Sequence, residues 1–128
     1  MRRLLMVMLL ITSPVMATTY KVYYLGGQSN MEGFGENSDL PAQYRTPLTT
    51  VPIFQGNPVA DFKPHGGVGM WEVLQPGFGS QFSATPQANQ RSDYFGPDLS
   101  FGHRIATLHP QHNVALIKYA LGGSALGY

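Results

Sequence analysis

The order of apolar and polar positions divides the chain into a few legible stretches. Leu4 through Ile11 is an unbroken apolar run close to the N-terminus. Tyr20-Lys21-Val22-Tyr23-Tyr24-Leu25 is rich in β-branched and aromatic residues and stops at Gly26-Gly27, which predicts a strand. Phe101, Ile105 and Leu108 fall at i, i+4 and i+7, one face of a helix. Pro97 suits the first turn of that helix, Asp98 stands beside it, and Pro110 ends it. Asn113 through Ala120 is a near-continuous apolar run that ends just before Gly122-Gly123. Continuous rather than alternating hydrophobicity predicts a strand covered on both faces, as in a parallel α/β sheet. Strand, helix and strand together form a right-handed crossover unit.

The interval from Gly26 to Gly96 is long for such a unit and holds eleven of the fifteen glycines and seven of the ten prolines. Within it, Thr50-Val51-Pro52-Ile53-Phe54 and Val59-Ala60-Asp61-Phe62 flank Gln55-Gly56-Asn57-Pro58, which reads as a small hairpin. Trp71-Glu72-Val73-Leu74 reads as another short ordered piece. So long an excursion inside one domain predicts a set of functional loops rather than a linker.

The leading segment has the form of a secretory signal. Arg2 and Arg3 precede the apolar run, Thr12-Ser13-Pro14 breaks it, and Val15-Met16-Ala17 supplies small residues at a cleavage site. The run is about half the ~20 residues that span a bilayer. Residues 1–17 are therefore expected to be removed, leaving 18–128 as a secreted or periplasmic product with no membrane attachment.

Charge and composition narrow the partners. Eight Lys and Arg stand against seven Asp and Glu, and without Arg2 and Arg3 the count is six against seven. A near-neutral chain has no electrostatic footprint for nucleic acid or for an anionic membrane. Charged residues make up only 12% and hydrophobic residues 43%, which suits a buried core and uncharged substrates rather than disorder. With no cysteine, disulfides, thiolate metal sites and cysteine nucleophiles are excluded.

Candidate chemistry gathers at the two glycine-rich strand ends. In Gly26-Gly27-Gln28-Ser29-Asn30-Met31-Glu32-Gly33, a serine directly follows a buried strand, at the sheet edge where open α/β sheets place ligands. A helix beginning there would aim free N–H groups, Ser29's own among them, at a developing oxyanion. On spacing alone, a plain glycine-rich turn explains Ser29 as well. The second strand runs into Leu121-Gly122-Gly123-Ser124-Ala125-Leu126. If the two strands are parallel neighbours, the Gly123 N–H can approach the Ser29 hydroxyl.

Three motifs in order carry a family resemblance over the stretch from Tyr20 to the last residue. Gly27-Gln28-Ser29-Asn30-Met31 resembles the nucleophile motif of the sialate O-acetylesterase and acetylxylan esterase group within the SGNH hydrolases. Gly96-Pro97-Asp98-Leu99-Ser100-Phe101-Gly102 resembles that group's Gly-Pro-Glu-Leu segment, with Asp98 where Glu is usual. Lys118-Tyr119-Ala120-Leu121-Gly122-Gly123 resembles its lysine–alanine–double-glycine segment. The resemblance implies a flavodoxin-like three-layer α/β/α sandwich with a parallel sheet, incomplete in this chain. It implies Ser29 as nucleophile and the Ser29 and Gly123 N–H groups as oxyanion donors. Gln28 and Asn30, which flank Ser29, and Trp71 are candidates for contact with an acetylated carbohydrate substrate. The implied reaction removes O-acetyl groups through an acyl-serine intermediate, with no metal and no organic cofactor.

Two parts of the family pattern do not occur in these 128 residues: the Gln-Gly-Glu motif and the Asp-x-x-His that supplies the base. Serine is a weak nucleophile without an adjacent base. His109 and His112 flank Pro110 at the amino edge of the sheet, His103 lies within the helix, and only His65 is in a loop with access to the other edge. The chain alone is therefore expected to be inactive or barely active. The alternatives are a non-catalytic carbohydrate-binding remnant, or a half-domain complemented by a second chain. Arg91 and Arg104 read as solvated charges, and Asp98 as a first-turn residue favoured by the helix dipole. Export from a host with a general secretory system should yield a product beginning near Thr18, read by N-terminal sequencing; a product that retains Arg2 and Arg3 would contradict the leader reading.

Overall fold

The computed structural model describes residues 17–59 and 63–124. The apolar leader, residues 60–62 of the expected second hairpin arm, and Ala125-Leu126 lie outside the described residues. In chain order the elements are β1 (Tyr20–Gly27), α1 (Ser29–Glu32), β2 (Gly35–Glu36), two short 3-10 turns (Asn37–Asp39 and Ala42–Tyr44), β3 (Leu48–Gln55), β4 (Trp71–Leu74), β5 (Ser83–Thr85), β6 (Ala88–Gln90), β7 (Tyr94–Phe95), α2 (Pro97–Leu108) and β8 (Asn113–Ala120).

The main sheet has the order β1-β8-β3-β4. β8 runs parallel to both β1 and β3, and β4 closes the sheet antiparallel to β3. β1 and β8 stay in step from Tyr20 opposite Asn113 to Gly27 opposite Ala120. Two parallel strands joined through a helix must finish on one edge, so both glycine-rich ends emerge side by side. This mixed α/β arrangement with a mostly parallel sheet matches the expected fold class at that level. The apolar run of β8 is buried because it is an interior strand: Val114, Ala115, Leu116, Lys118 and Ala120 are all inaccessible or nearly so.

Two expectations are corrected. The strand after Leu48 does not pair with a segment beginning at Val59; its antiparallel partner is Trp71–Leu74. The chain turns away after Gln55 because the Asn57 N–H donates to the Val68 carbonyl (2.7 Å) and Pro58 has no N–H to extend a ladder. The register shift between Leu48 and Pro52 likewise accommodates a proline inside an interior strand. The apolar face of α2 also differs from the i, i+4, i+7 reading. Its buried stripe is Asp98, Leu99 and Gly102, flanked by partly buried Phe101, Ile105 and Ala106. At 100° per residue, Leu108 falls at the margin of that stripe and is half exposed.

The core lies between α2 and one face of the sheet, with Leu25, Ile53, Leu116 and Leu74 from four adjacent strands meeting Leu99 and Phe78. Tyr23 meets Phe101 edge-on at 5.5 Å between ring centroids. The opposite sheet face presents Tyr20, Val22, Tyr24 and Trp71, each 45–68% exposed.

Gly102 is where the helix comes closest to the sheet. A Cβ added there would lie 2.1 Å from Leu74 Cδ2 and 3.1 Å from Leu116 Cδ1. Both leucines are fully buried, so one of them must shift within the packed core. Alanine would gain about 1 kcal/mol in helix propensity, yet overpacking costs about 1–3 kcal/mol. Gly102→Ala should therefore lower the urea midpoint, and a raised midpoint would contradict this packing.

Candidate active site

The site rests on a charge placed inside the core. Lys118 lies on β8 with no solvent exposure, and its ammonium makes three contacts to three different segments. It donates to the Glu32 carbonyl at the end of α1 (2.9 Å), to the Phe78 carbonyl (2.6 Å) and to Asp98 Oδ1 in the first turn of α2. An ammonium has three N–H donors, and all three are used. Asp98 is 1% exposed, which corrects its reading as a simple first-turn residue: it is the counter-charge of a buried ion pair. Burial pushes its carboxyl up from the ordinary value, and the Lys118 charge and hydrogen bond oppose that.

Gly96, the residue before α2, allows the pair to form. A Cβ there would fall 2.6 Å from Lys118 Nζ and 2.7 Å from Asp98 Oδ1. Gln55 sits opposite Lys118 in the β3–β8 register and is also fully buried. Neither its amide nitrogen nor its oxygen has a partner among the described residues, and Asp98 Oδ2 has none either.

Directly above this anchor, α1 is a single helical turn. The Glu32 N–H donates to the Gln28 carbonyl (2.8 Å) and the Gly33 N–H to the Ser29 carbonyl (3.0 Å). Ser29 is half-buried, while Gln28 and Asn30 on either side are exposed. From the neighbouring strand, Leu121 to Ser124 forms a turn closed by the Ser124 N–H on the Leu121 carbonyl (3.3 Å). Gly123 takes φ +75 at its third position, the left-handed conformation that a type II turn requires there. The two turns touch: a Cβ added to Gly122 would lie 3.7 Å from Ser29 Cβ and 2.8 Å from Glu32 Oε2. None of the described residues lies within 4 Å of one added to Gly123, which is exposed.

The other candidates lie apart from this pair. Trp71 is on β4, three strands from β1, tilted against Phe54 at 5.7 Å and lining a shallow apolar groove with Tyr20, Val22 and Pro52. His109 and His112 precede β8 at its amino end, ~23 Å along the strand from Ala120. His103 meets the Tyr44 ring edge-on at 5.0 Å, and burial lowers its pKa. His65 is exposed, with φ +73, in the loop whose Gly66 abuts the Tyr119 side chain. Arg91 is not simply solvated, since it lies 3.5 Å from Glu72. Among the described residues, no group of three or more His, Asp or Glu side chains is placed to hold a metal ion.

A family model for sialic acid-specific acetylesterases, a class of carbohydrate esterase, matches residues 19–128. The chain belongs to that family. Its function class is accordingly that of a carbohydrate esterase. Among curated proteins, none matches the chain. The matched region contains both strand ends and the buried lysine beneath them.

The sequence reading singles out Ser29 and Gly123 but gives no site role to Lys118 or Glu32. The signal for Lys118 was available: a lone lysine in an otherwise apolar interior strand must find a counter-charge, and Asp98 is one of only seven acidic residues. Removing the ammonium by Lys118→Met leaves Asp98 buried and unpaired, which should cost about 3–5 kcal/mol. Adding Asp98→Leu should recover part of that loss but not all, because the Glu32 and Phe78 carbonyls still lack their donor. Urea unfolding of the two variants measures both; a single variant as stable as the parent would contradict the anchor.

Proposed function

We propose that the chain is an exported serine esterase that removes O-acetyl groups from carbohydrates, with Ser29 as nucleophile. The observation that carries this reading is the contact between the Ser29 turn and the Gly122-Gly123 turn at the end of two parallel strands. Membership of the sialic acid-specific acetylesterase family supports an O-acetylated sugar as substrate.

In this reading the Ser29 hydroxyl attacks the acetyl carbonyl, and the carbonyl oxygen becomes an oxyanion. Backbone N–H groups of Ser29 and Gly123 donate to it, a form of stabilisation worth about 10²–10³-fold per donor. The sugar oxygen then leaves with a proton, and water releases acetate from the acyl-serine. Gln28 and Asn30, both exposed beside Ser29, are in reach of a sugar held at that edge. Trp71, three strands away, takes no part in this account. The exposed apolar face of Tyr20, Val22, Tyr24 and Trp71 supports a three-layer sandwich of SGNH type, in which a further layer covers it. A non-catalytic carbohydrate-binding role has no observation in its favour over this one.

Serine needs a base, and positioned general bases contribute about 10²–10⁴-fold. The two histidines before β8 are at the wrong edge to serve. Acetate release from O-acetylated sialic acid by residues 18–128 should therefore be slow and should rise with added imidazole. Ser29→Ala should abolish the imidazole-dependent part. Release that is unchanged in Ser29→Ala would overturn the assignment.

A further inference from the structure

Glu32 is an acidic residue in the same helical turn as Ser29, three positions later, so both side chains lie on one side of α1. Its side chain is turned inward, with only 9% of the residue exposed. Its carboxylate Oε2 accepts the Gly122 N–H at 2.5 Å, a contact that spans 90 residues of sequence. Its own carbonyl accepts from Lys118 Nζ at 2.9 Å. Glu32 is thus held to β8 through its backbone and holds the continuation of β8 through its side chain. A carboxylate brought next to a site for a developing negative charge works against that charge, so its placement needs another reason.

We propose that Glu32 is a positioning residue that clamps the Gly122-Gly123 turn so that the Gly123 N–H faces the Ser29 hydroxyl; this rests on the esterase reading above. Two successive glycines are the most conformationally free dipeptide, and the peptide between them is the one that differs between type I and type II turns. Fixing the Gly122 N–H fixes the Leu121–Gly122 peptide that leads into the turn, and closure of Ser124 on the Leu121 carbonyl then confines the Gly122–Gly123 peptide that carries the Gly123 N–H. The clamp also decides which glycine serves: the Gly122 N–H is already engaged, which leaves the Gly123 N–H, without an acceptor among the described residues, for an oxyanion. Any side chain at position 122 would meet Glu32 Oε2 at 2.8 Å, so glycine there belongs to the same device.

The test compares parent, Glu32→Gln, Glu32→Asp and Glu32→Ala, each first checked for folding by its thermal midpoint. Gln keeps an acceptor oxygen at the same reach, whereas Asp keeps the charge but is one methylene short. Hydrogen exchange of the Gly122 amide, followed by NMR, reads the clamp without any catalysis. Protection should persist in Glu32→Gln and fall at least about tenfold in Glu32→Asp and Glu32→Ala, as expected when a charge-assisted hydrogen bond is lost. Imidazole-assisted acetyl transfer from 4-nitrophenyl acetate reads the consequence. The kcat of Glu32→Ala should drop about 10²-fold, the scale of a misplaced group, with KM little changed and Glu32→Gln close to the parent. Equal Gly122 protection in parent and Glu32→Ala overturns the proposal. So does parental kcat in a Glu32→Ala variant that has lost protection, provided Ser29→Ala is inactive. If Ser29→Ala retains full transfer while Gly122 protection collapses in Glu32→Ala, the clamp stands and the esterase assignment is what fails.

Discussion

A single ammonium group ties three separate segments of this structure to one interior strand. Lys118 is carried into the core on an interior strand, where an unpaired charge is not tolerated. Everything that satisfies it is brought in from elsewhere in the chain: Asp98 from the start of α2, the Glu32 carbonyl from α1 and the Phe78 carbonyl from the long excursion. Buried ion pairs are not efficient stabilisers, since well-packed apolar groups often do as well. Their use here is geometric, because one cation with three directed donors ties three segments to one strand. The Ser29 turn sits directly on that tie, because the carbonyl gripped is that of Glu32, three residues on in the same helical turn.

The same logic accounts for the glycines around the site. Gly96 is required because the ion pair passes where its side chain would be, and Gly122 because Glu32 does. Gly123 differs, since an added Cβ would meet none of the described residues within 4 Å and its positive φ is what the turn demands. A local Gly-Gly pair thus divides into one residue fixed by close approach and one fixed by backbone conformation. The flexible pair sits in a turn closed on the Leu121 carbonyl by Ser124, and a carboxylate 90 positions away accepts the Gly122 N–H.

Much of this arrangement was legible in the sequence. β1, α2 and β8 announce themselves by apolar pattern and by terminating glycines and prolines, and their order implies a crossover that puts both glycine-rich ends on one edge. The excursion was less legible. β3 reads as one arm of a local hairpin, but its partner comes after a loop, where Trp71 packs against Phe54 and the antiparallel register runs on to Leu74. Asp98 was misjudged because helix-dipole reasoning explains an acidic first-turn residue without asking what lies across from it. Glu32 left no sequence signal at all: a carboxylate paired with a backbone N–H has no partner side chain to betray it.

In the proposed esterase, Ser29 and the Gly123 N–H act on one carbonyl. A crystal structure of the chain after reaction with a fluorophosphonate tests it most directly, because the phosphonyl group mimics a tetrahedral acyl intermediate. The expected adduct is on Ser29 Oγ, with the phosphonyl oxygen accepting hydrogen bonds from the Ser29 and Gly123 N–H groups and the Gly122 N–H still on Glu32. An adduct on another residue, or a phosphonyl oxygen directed away from Gly123, would contradict it.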